Sequence, residues 1–395
     1  MRSVTVVGAS LAGLSTVRAL RSQGYAGRII VVGAERHLPY DRPPLSKAFL
    51  TGAVSAAEVS LIGEEDDALD VEWLLGTPAA ALGAADHSVV LADGRVVIGD
   101  AVVLATGSRA RTLPGAPGSR LPASLAGVHL LRTLDDAVAL RDDLSVASSL
   151  VVVGAGFIGA EVAASARSLG LDVTVVEALA VPMAGPLGAQ MGAACAELHA
   201  DHGVRLRTGV GVAGLVGRHR VEAVDLADGT RLPADVVVVG VGAAPNVEWL
   251  TASGLEVAGG VVTDATCATA APGIVAVGDC ALSYDLHTGR GVRAEHWTHA
   301  LQQPATGAAT LLGSPVPYTG LPYFWSEQYG LQIQLAGTRA DGDVVTVVHG
   351  SVAERSFVAT YERSGRLVAA LGVGASGPFS RWRRQLRASA AALAG

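Results

Sequence analysis

The chain has 395 residues, half of them hydrophobic, and a formal net charge of −7. A chain of this length is expected to fold into two or three domains with large buried cores. The acidic total argues against nucleic-acid binding, and the long uncharged stretches are broken by prolines, glycines and glutamines, unlike the roughly 20 consecutive apolar residues of a membrane span.

A glycine-rich turn follows the first predicted strand, residues 4–7. Its candidate binding residues are Gly8, Ser10, Leu11, Ala12 and Gly13, with Ser10 where the dinucleotide-binding pattern has its second glycine. Glycines allow a tight turn and close helix packing, and the helix N-terminus attracts a pyrophosphate. The next apolar run leads to Glu35, near the offset of about 20 residues at which an acid reaches an adenosine ribose. A glycine-rich turn without function is the alternative.

The segment at residues 37–47 contains three prolines and ends on Lys47, which is the only lysine beside 28 arginines. Arginine would supply charge equally well, so a retained lysine indicates a need for a compact ammonium on a flexible stem. A solvated surface lysine is the alternative.

A second turn of the same kind lies 146 residues after the first, behind the apolar run at residues 151–153. Its candidate residues are Gly154, Gly156, Phe157, Ile158, Gly159 and Glu161, and the following strand ends at Glu177. Two such units in one chain predict two bound dinucleotides. If one of them is a flavin, we expect Lys47 to lie near its N5 atom and to pair with Glu161.

Buried strands such as residues 236–239 are continuously apolar, which is typical of parallel sheets covered on both faces. The predicted fold class is α/β: two Rossmann-like dinucleotide-binding domains of the three-layer ββα type, one inserted in the other, and a small α+β C-terminal domain. The predicted limits are 1–108 and 236–315 for the first domain, 109–235 for the inserted one and 316–395 for the last.

The three cysteines, Cys195, Cys267 and Cys280, are widely spaced and none lies in the first 194 residues. The spacing argues against a disulfide framework and against a metal site. If a flavin is bound by the first unit, no cysteine in that part of the sequence can receive its electrons. Because Met1 leads directly into the first predicted strand, we expect no signal peptide and a cytoplasmic location.

Several segments together resemble the FAD-dependent, NADH-linked ferredoxin reductases that serve oxygenases. They occur in the family's order and span nearly the whole chain: residues 39–47, 103–108, 154–161, 277–279 and 324–330. The resemblance implies FAD in the first unit and NADH in the second. It also implies a hydride transfer from NADH to the flavin, followed by single-electron transfer to a [2Fe-2S] ferredoxin that supplies a monooxygenase or dioxygenase.

For FAD, the resemblance implies that Glu35 holds the adenosine ribose, that Arg42 and Arg132 lie near the phosphates, and that Asp279 meets the ribityl chain. The remaining implied FAD contacts are Lys47, Ala105, Thr106, Gly107, Gly278 and Trp297. A helix-capping role is the alternative for Asp279. Trp325 is predicted to lie beside the flavin ring on the electron exit path, with a core tryptophan as the alternative.

For the coenzyme, Glu161 is expected to reach the nicotinamide carboxamide, and Gly242 lies at the expected hinge near the same site. Glu177 favours NADH because a carboxylate binds a ribose 2′-OH and repels a 2′-phosphate. No arginine or lysine occurs between Glu177 and Arg205, although the family usually has an arginine in this loop. That departure leaves the affinity for NADH open.

The C-terminal 80 residues carry eight arginines and five acids, a net charge of +3 against −10 for the rest. The cluster Arg381, Arg383 and Arg384 could meet an acidic ferredoxin, and a solvated helix face is the alternative. Other acceptors, namely rubredoxin, a quinone or a small organic molecule, and a slow redox-sensor role like that of apoptosis-inducing factor also remain open. We expect a monomer or a weak dimer with no metal ion and no membrane contact.

Overall fold

The computed structural model describes residues 1–113 and 125–394. In these residues the α-helices are Leu11–Ser22 (α1), Leu134–Leu144 (α2), Phe157–Ser168 (α3), Ala184–Asp201 (α4), Trp297–Leu311 (α5) and Ser376–Ala394 (α6). Short 3-10 helices are Pro43–Ser46, Glu64–Leu69, Glu248–Leu250 and Gly278–Cys280. No helix in this part of the chain is both long and apolar enough to cross a membrane.

The first nucleotide-binding unit is built on a five-stranded parallel sheet. Its strands, in spatial order, are Ile274–Ala276, Ala101–Leu104, Ser3–Val7, Arg28–Val32 and Val71–Leu74. Helices α1 and α5 cover one face, and an antiparallel sheet of Ala79–Gly83, Ser88–Leu91 and Val96–Ile98 covers the other. A small sheet of Val261–Thr263, Ala281–Asp285 and Arg290–Val292 completes the unit.

The second unit repeats this three-layer plan. Its parallel sheet runs Arg205–Thr208, Asp172–Glu177, Ser149–Val153, Val236–Val239 and Val128–His129. Helices α2 and α3 pack on one face, and the strands Val212–Gly217, Val221–Leu226 and Arg231–Pro233 cover the other. The strands are buried from both sides, which explains their continuous apolar runs.

The structure corrects one edge of the predicted domain division. Val236–Val239 pairs with Ser149–Val153 and therefore belongs to the second unit, not to the return of the first. The chain leaves the first unit at Ser108–Ala110 and comes back at Ala243–Pro245, and these two segments pair with each other. Four consecutive buried valines suit either parallel sheet, so their composition does not say which sheet they join.

The C-terminal domain is an antiparallel sheet between two helices. Its strand order is Tyr323–Gln328, Leu331–Gly337, Arg366–Val373, Ser356–Arg363 and Val344–Ser351. Helix α6 packs on one face through Phe379 and Leu386. The other face packs on α4 of the second unit through a shared core that includes Met191 and Phe357. The predicted fold class is confirmed.

Candidate functional site

The first glycine turn joins Ser3–Val7 to α1 and leaves no room for a side chain at either of its glycines. Gly8 has φ +126°, and a Cβ there would lie 2.0 Å from the Ala105 carbonyl oxygen. A Cβ on Gly13 would lie 1.8 Å from the Gly8 oxygen. Ser10 is the N-cap residue of α1, with its hydroxyl 3.4 Å from Arg42 Nε, and Leu11 and Ala12 begin the helix. A cation therefore lies beside the unpaired N–H groups of this helix end.

The second glycine turn has the same close packing and a more open surface. A Cβ on Gly154 would lie 2.3 Å from the Gly240 oxygen, and one on Gly159 would lie 2.1 Å from the Gly154 oxygen. Gly156 has no atom within 4 Å of its missing Cβ. This open space directly in front of α3 fits a pyrophosphate, which needs backbone N–H groups and no intervening side chain.

The two strand-end acids have different partners. Glu35 forms an ion pair with Arg42 at 2.7 Å and accepts a hydrogen bond from the Tyr40 hydroxyl. Glu177 instead accepts hydrogen bonds from the backbone N–H groups of Ala155 and Leu179, both at 2.9 Å. Backbone N–H groups therefore hold the Glu177 carboxylate at the carboxyl end of its strand.

The strand next to Glu177 carries a cation that the sequence pattern did not single out. Thr208 pairs in register with Glu177, and Arg207 precedes it and forms an ion pair with Asp228 at 2.9 Å. Arg207 and Asp228 line a cavity of about 380 Å³ at this corner of the sheet. Sheet pairing thus places an arginine near the loop that lacks one.

Asp279 and Arg132 meet at the end of the first sheet. Arg132 Nη2 lies 2.7 Å from Asp279 Oδ2, and the Ser108 hydroxyl donates to the same oxygen at 3.0 Å. Arg132 Nε also donates to the Ser108 carbonyl at 2.9 Å. Sequence reasoning missed Ser108, which sits at the crossing between the two units and is 171 residues from Asp279.

Four more of the predicted residues, Thr106, Gly107, Gly242 and Gly278, lie in the segments that connect the two units or in the loop that carries Asp279. The Thr106 hydroxyl donates to the Asn246 carbonyl at 2.7 Å. This hydrogen bond links the segment by which the chain leaves the first unit to the segment by which it returns. Gly107 has φ +65° and open space at its missing Cβ. Gly242, at φ +105°, and Gly278, at φ +72°, hold left-handed conformations that favour glycine.

A buried carboxylate joins three distant parts of the chain. Glu161, on the second turn of α3, is 3 % exposed. Its Oε2 accepts from Lys47 Nζ at 2.8 Å and from the Ser46 hydroxyl at 2.5 Å, and its Oε1 accepts from the Ser326 hydroxyl at 2.7 Å. Lys47 is thus a mostly buried partner of Glu161 and not a solvated surface lysine.

Two tryptophans lie at the edge of this region. Trp297 and Trp325 are edge to face, with ring centroids 5.8 Å apart. Trp297 Nε1 donates to Asp41 at 2.6 Å. Burial raises the pKa of Asp41, while the Trp297 hydrogen bond and the charge of Lys47 oppose that rise. Asp41 and Trp297 therefore fix each other beside Lys47, a pairing across 256 residues that sequence reasoning missed.

The thiols take no part in these contacts between charged side chains, although Cys280 directly follows Asp279. All three cysteines are buried and unpaired. Burial raises the pKa values of Cys195 and Cys267 to about 12 and also raises that of Cys280. Thiolates are the reactive form, so these groups are inert core residues at neutral pH.

The model of the family described as pyridine nucleotide-disulphide oxidoreductase matches residues 2–304, and a reductase C-terminal model matches residues 323–394. The chain belongs to the pyridine nucleotide-disulphide oxidoreductase family. Putidaredoxin reductase of Pseudomonas putida is 38 % identical over 93 % of this chain and 87 % of its own length. Rhodocoxin reductase of Rhodococcus erythropolis is 41 % identical over 89 % of this chain and 81 % of its own.

Solved structures give the same result. A ferredoxin reductase from Rhodopseudomonas palustris superposes with a TM-score of 0.93 at 37 % identity, covering 98 % of this chain and 95 % of the other. The reductase in a covalent putidaredoxin reductase–putidaredoxin complex superposes with a TM-score of 0.92 at 36 % identity, covering 98 % and 93 %. The predictions of a ferredoxin reductase family, and of FAD and NADH as its cofactors, are confirmed. The redox-sensor and alternative-acceptor interpretations are not favoured.

Proposed function

We propose that this protein is an NADH:ferredoxin oxidoreductase that passes electrons to a [2Fe-2S] ferredoxin serving an oxygenase. Its relatives include putidaredoxin reductase and the ferredoxin–NAD(+) reductase subunit of a benzene 1,2-dioxygenase system. Bound FAD supplies the chemistry, because it accepts a hydride and releases electrons one at a time. The protein's own residues bind, orient and shield the two dinucleotides.

The residues of each unit suit one part of that work. In the first unit, the turn at Gly8 with Arg42 suits the FAD pyrophosphate, and Arg132 with Asp279 presents a cation and an acceptor beside it. In the second, the open turn at Gly156 suits the coenzyme pyrophosphate. We assign Glu177 to the adenosine ribose, since its backbone partners leave its charge uncompensated against a 2′-phosphate.

The observation that carries the proposal is the contact set of Glu161. This carboxylate, on the helix that follows the coenzyme turn, contacts Lys47 of the first unit and Ser326 of the C-terminal domain. Trp325, the neighbour of Ser326, is partly exposed on the other side of the same strand. Three elements therefore meet at one place: the helix after the second glycine turn, the loop that carries Lys47 and the strand that carries Trp325. A path for electrons from the hydride donor to an external acceptor requires such a meeting.

The surface of α6 suits an acidic acceptor. Arg381, Arg384 and Arg387 are exposed and follow one another at three-residue spacing, so they share one face of the helix. Arg383 instead lies over the Tyr323 ring at 3.5 Å and anchors the helix. We propose that the exposed face steers an acidic ferredoxin toward Trp325.

The test is NADH-driven cytochrome c reduction with and without added ferredoxin. We expect putidaredoxin or another [2Fe-2S] ferredoxin to accelerate the reaction, with rates that fall as salt rises, and rubredoxin to give little. Arg384→Gln with Arg387→Gln should weaken the ferredoxin response, whereas the exposed Arg95→Gln should not. Equal rates without ferredoxin, or with rubredoxin, would contradict the proposed acceptor.

We further propose a cytoplasmic location and a monomer or weak dimer as the working unit. The three unpaired cysteines fit a reducing compartment. Size-exclusion chromatography with light scattering, across a range of protein concentrations, tests the oligomeric state. A concentration-independent dimer or larger assembly would contradict it.

A further inference from the structure

Ser326 lies on the inner face of the first strand of the C-terminal sheet. In Tyr323–Gln328 the side chains alternate, and Ser326 and Gln328 are buried with 0 % and 1 % exposure, while Glu327 between them is exposed. The Ser326 hydroxyl donates to Glu161 Oε1 at 2.7 Å across 165 residues. A residue of the C-terminal domain thus touches the carboxylate on the helix that follows the second glycine turn.

The contacts of Glu161 use its full capacity as an acceptor. An ionised carboxylate offers about four lone-pair positions. Ser46 and Lys47 donate to Oε2, and Ser326 and the Glu327 backbone N–H, at 3.3 Å, donate to Oε1. Donors on both oxygens fix the plane of the carboxylate as well as its position. On Oε1 the Ser326 contact is the shorter of the two, so this hydroxyl carries most of the restraint on that side.

The Ser326 hydroxyl is itself oriented. Gln328 Nε2 donates to Ser326 Oγ at 3.2 Å. Because a hydroxyl has a single hydrogen, accepting from Gln328 leaves that hydrogen to point at Glu161. The direction of the donation is therefore fixed by the strand and does not depend on a mobile loop.

We propose that Ser326 is a positioning residue for Glu161, through which the C-terminal domain sets the geometry of the coenzyme site. This inference rests on the proposed function, in which Glu161 and its partner Lys47 lie where the coenzyme meets the flavin. Its consequence is specific: loss of the Ser326 hydroxyl impairs the reaction with NADH and leaves the reaction with an electron acceptor intact.

The test compares Ser326→Ala with Thr263→Val in the purified holoprotein. Thr263 is also buried, and its hydroxyl donates to the Ser283 hydroxyl at 2.9 Å in the first unit, so Thr263→Val removes a buried hydrogen bond that does not involve Glu161. Anaerobic stopped-flow measures flavin reduction at varied NADH concentrations. Reoxidation of dithionite-reduced protein by ferricyanide measures the second half-reaction. Calorimetry with NAD⁺ measures coenzyme binding without turnover.

We expect Ser326→Ala to lower the second-order rate of flavin reduction roughly tenfold, as expected for one lost hydrogen bond to a charged group, and to weaken NAD⁺ binding. Its ferricyanide rate should stay within twofold of the wild type, and Thr263→Val should change none of the three. An unchanged reduction rate in Ser326→Ala, or equal slowing of both half-reactions, would overturn the proposal. Failure of the wild type to be reduced by NADH would instead refute the proposed function.

Should Ser326→Ala fail to retain flavin, Ser326→Cys serves as the second variant. It nearly keeps the side-chain volume and replaces a strong donor by a weak one. The expected result is a loss of a few fold in reduction by NADH with normal ferricyanide reoxidation. A wild-type reduction rate in Ser326→Cys would count against the proposal.

Discussion

The ion pair between Lys47 and Glu161 gives a prediction whose sign depends on the surrounding contacts. Their side chains are 16 % and 4 % exposed and 2.8 Å apart. Glu161→Ala leaves the Lys47 ammonium unpaired, together with the donors of Ser46, Ser326 and Glu327. Removing one partner of a buried pair costs about 3–5 kcal/mol. Lys47→Ala leaves the carboxylate with its other three donors, so the loss is one charge-assisted hydrogen bond, about 1.5–3 kcal/mol.

We therefore expect Glu161→Ala to be the more destabilising change, and the double variant to be no worse than Glu161→Ala alone. The assay is guanidinium unfolding of the holoprotein, followed by tryptophan fluorescence and flavin release. The exposed Arg28–Glu72 pair is the control, because Glu72→Ala should change the free energy of unfolding by less than about 1 kcal/mol. Equal or greater destabilisation by Lys47→Ala, or additive losses in the double variant, would refute the reasoning.

Three further predictions concern coenzyme choice, pH and the acceptor. Glu177→Gln should raise the ratio of kcat/KM for NADPH to that for NADH by on the order of tenfold, because the charge facing a 2′-phosphate is gone; an unchanged ratio would contradict this. Burial, with a contribution from His202, lowers the pKa of His199 to about 4. The unfolded state then binds more protons between pH 6.5 and 4, so the free energy of unfolding should fall by about 3 kcal/mol as pH drops through that window. Urea titrations should show a flatter profile for His199→Gln and not for the exposed His349→Gln. Trp325→Ala should raise KM for the ferredoxin on the order of tenfold with normal reduction by NADH, and unchanged steady-state kinetics would assign Trp325 to the core.

Local physical rules made much of the fold predictable. Gly8 and Gly154 stand at positive φ where a Cβ would collide with backbone, and only glycine satisfies that condition. The sequence therefore shows the two turns directly. The valines at 236–239 show why one domain edge was wrong, since a buried parallel strand has the same composition in either unit.

The candidate site was only partly predictable, for a related reason. Lys47 was noticeable because it is the only lysine, and Glu161 because of its place after the second turn. Ser326 and Ser108 lie in two of the segments that carry the family resemblance, 324–330 and 103–108, but nothing in those segments assigns a contact to either serine. Their roles come from contacts across 165 and 171 residues, which depend on how the domains pack.

Anaerobic titration of the purified yellow protein with NADH tests the central claim most directly. In this account the two duplicated units hold FAD and NADH, and the hydride passes between them without a thiol. We therefore expect NADH to bleach the flavin absorbance rapidly and NADPH to bleach it much more slowly. A colourless protein that FAD cannot reconstitute, or a flavin that stays oxidised in excess NADH, would contradict the account.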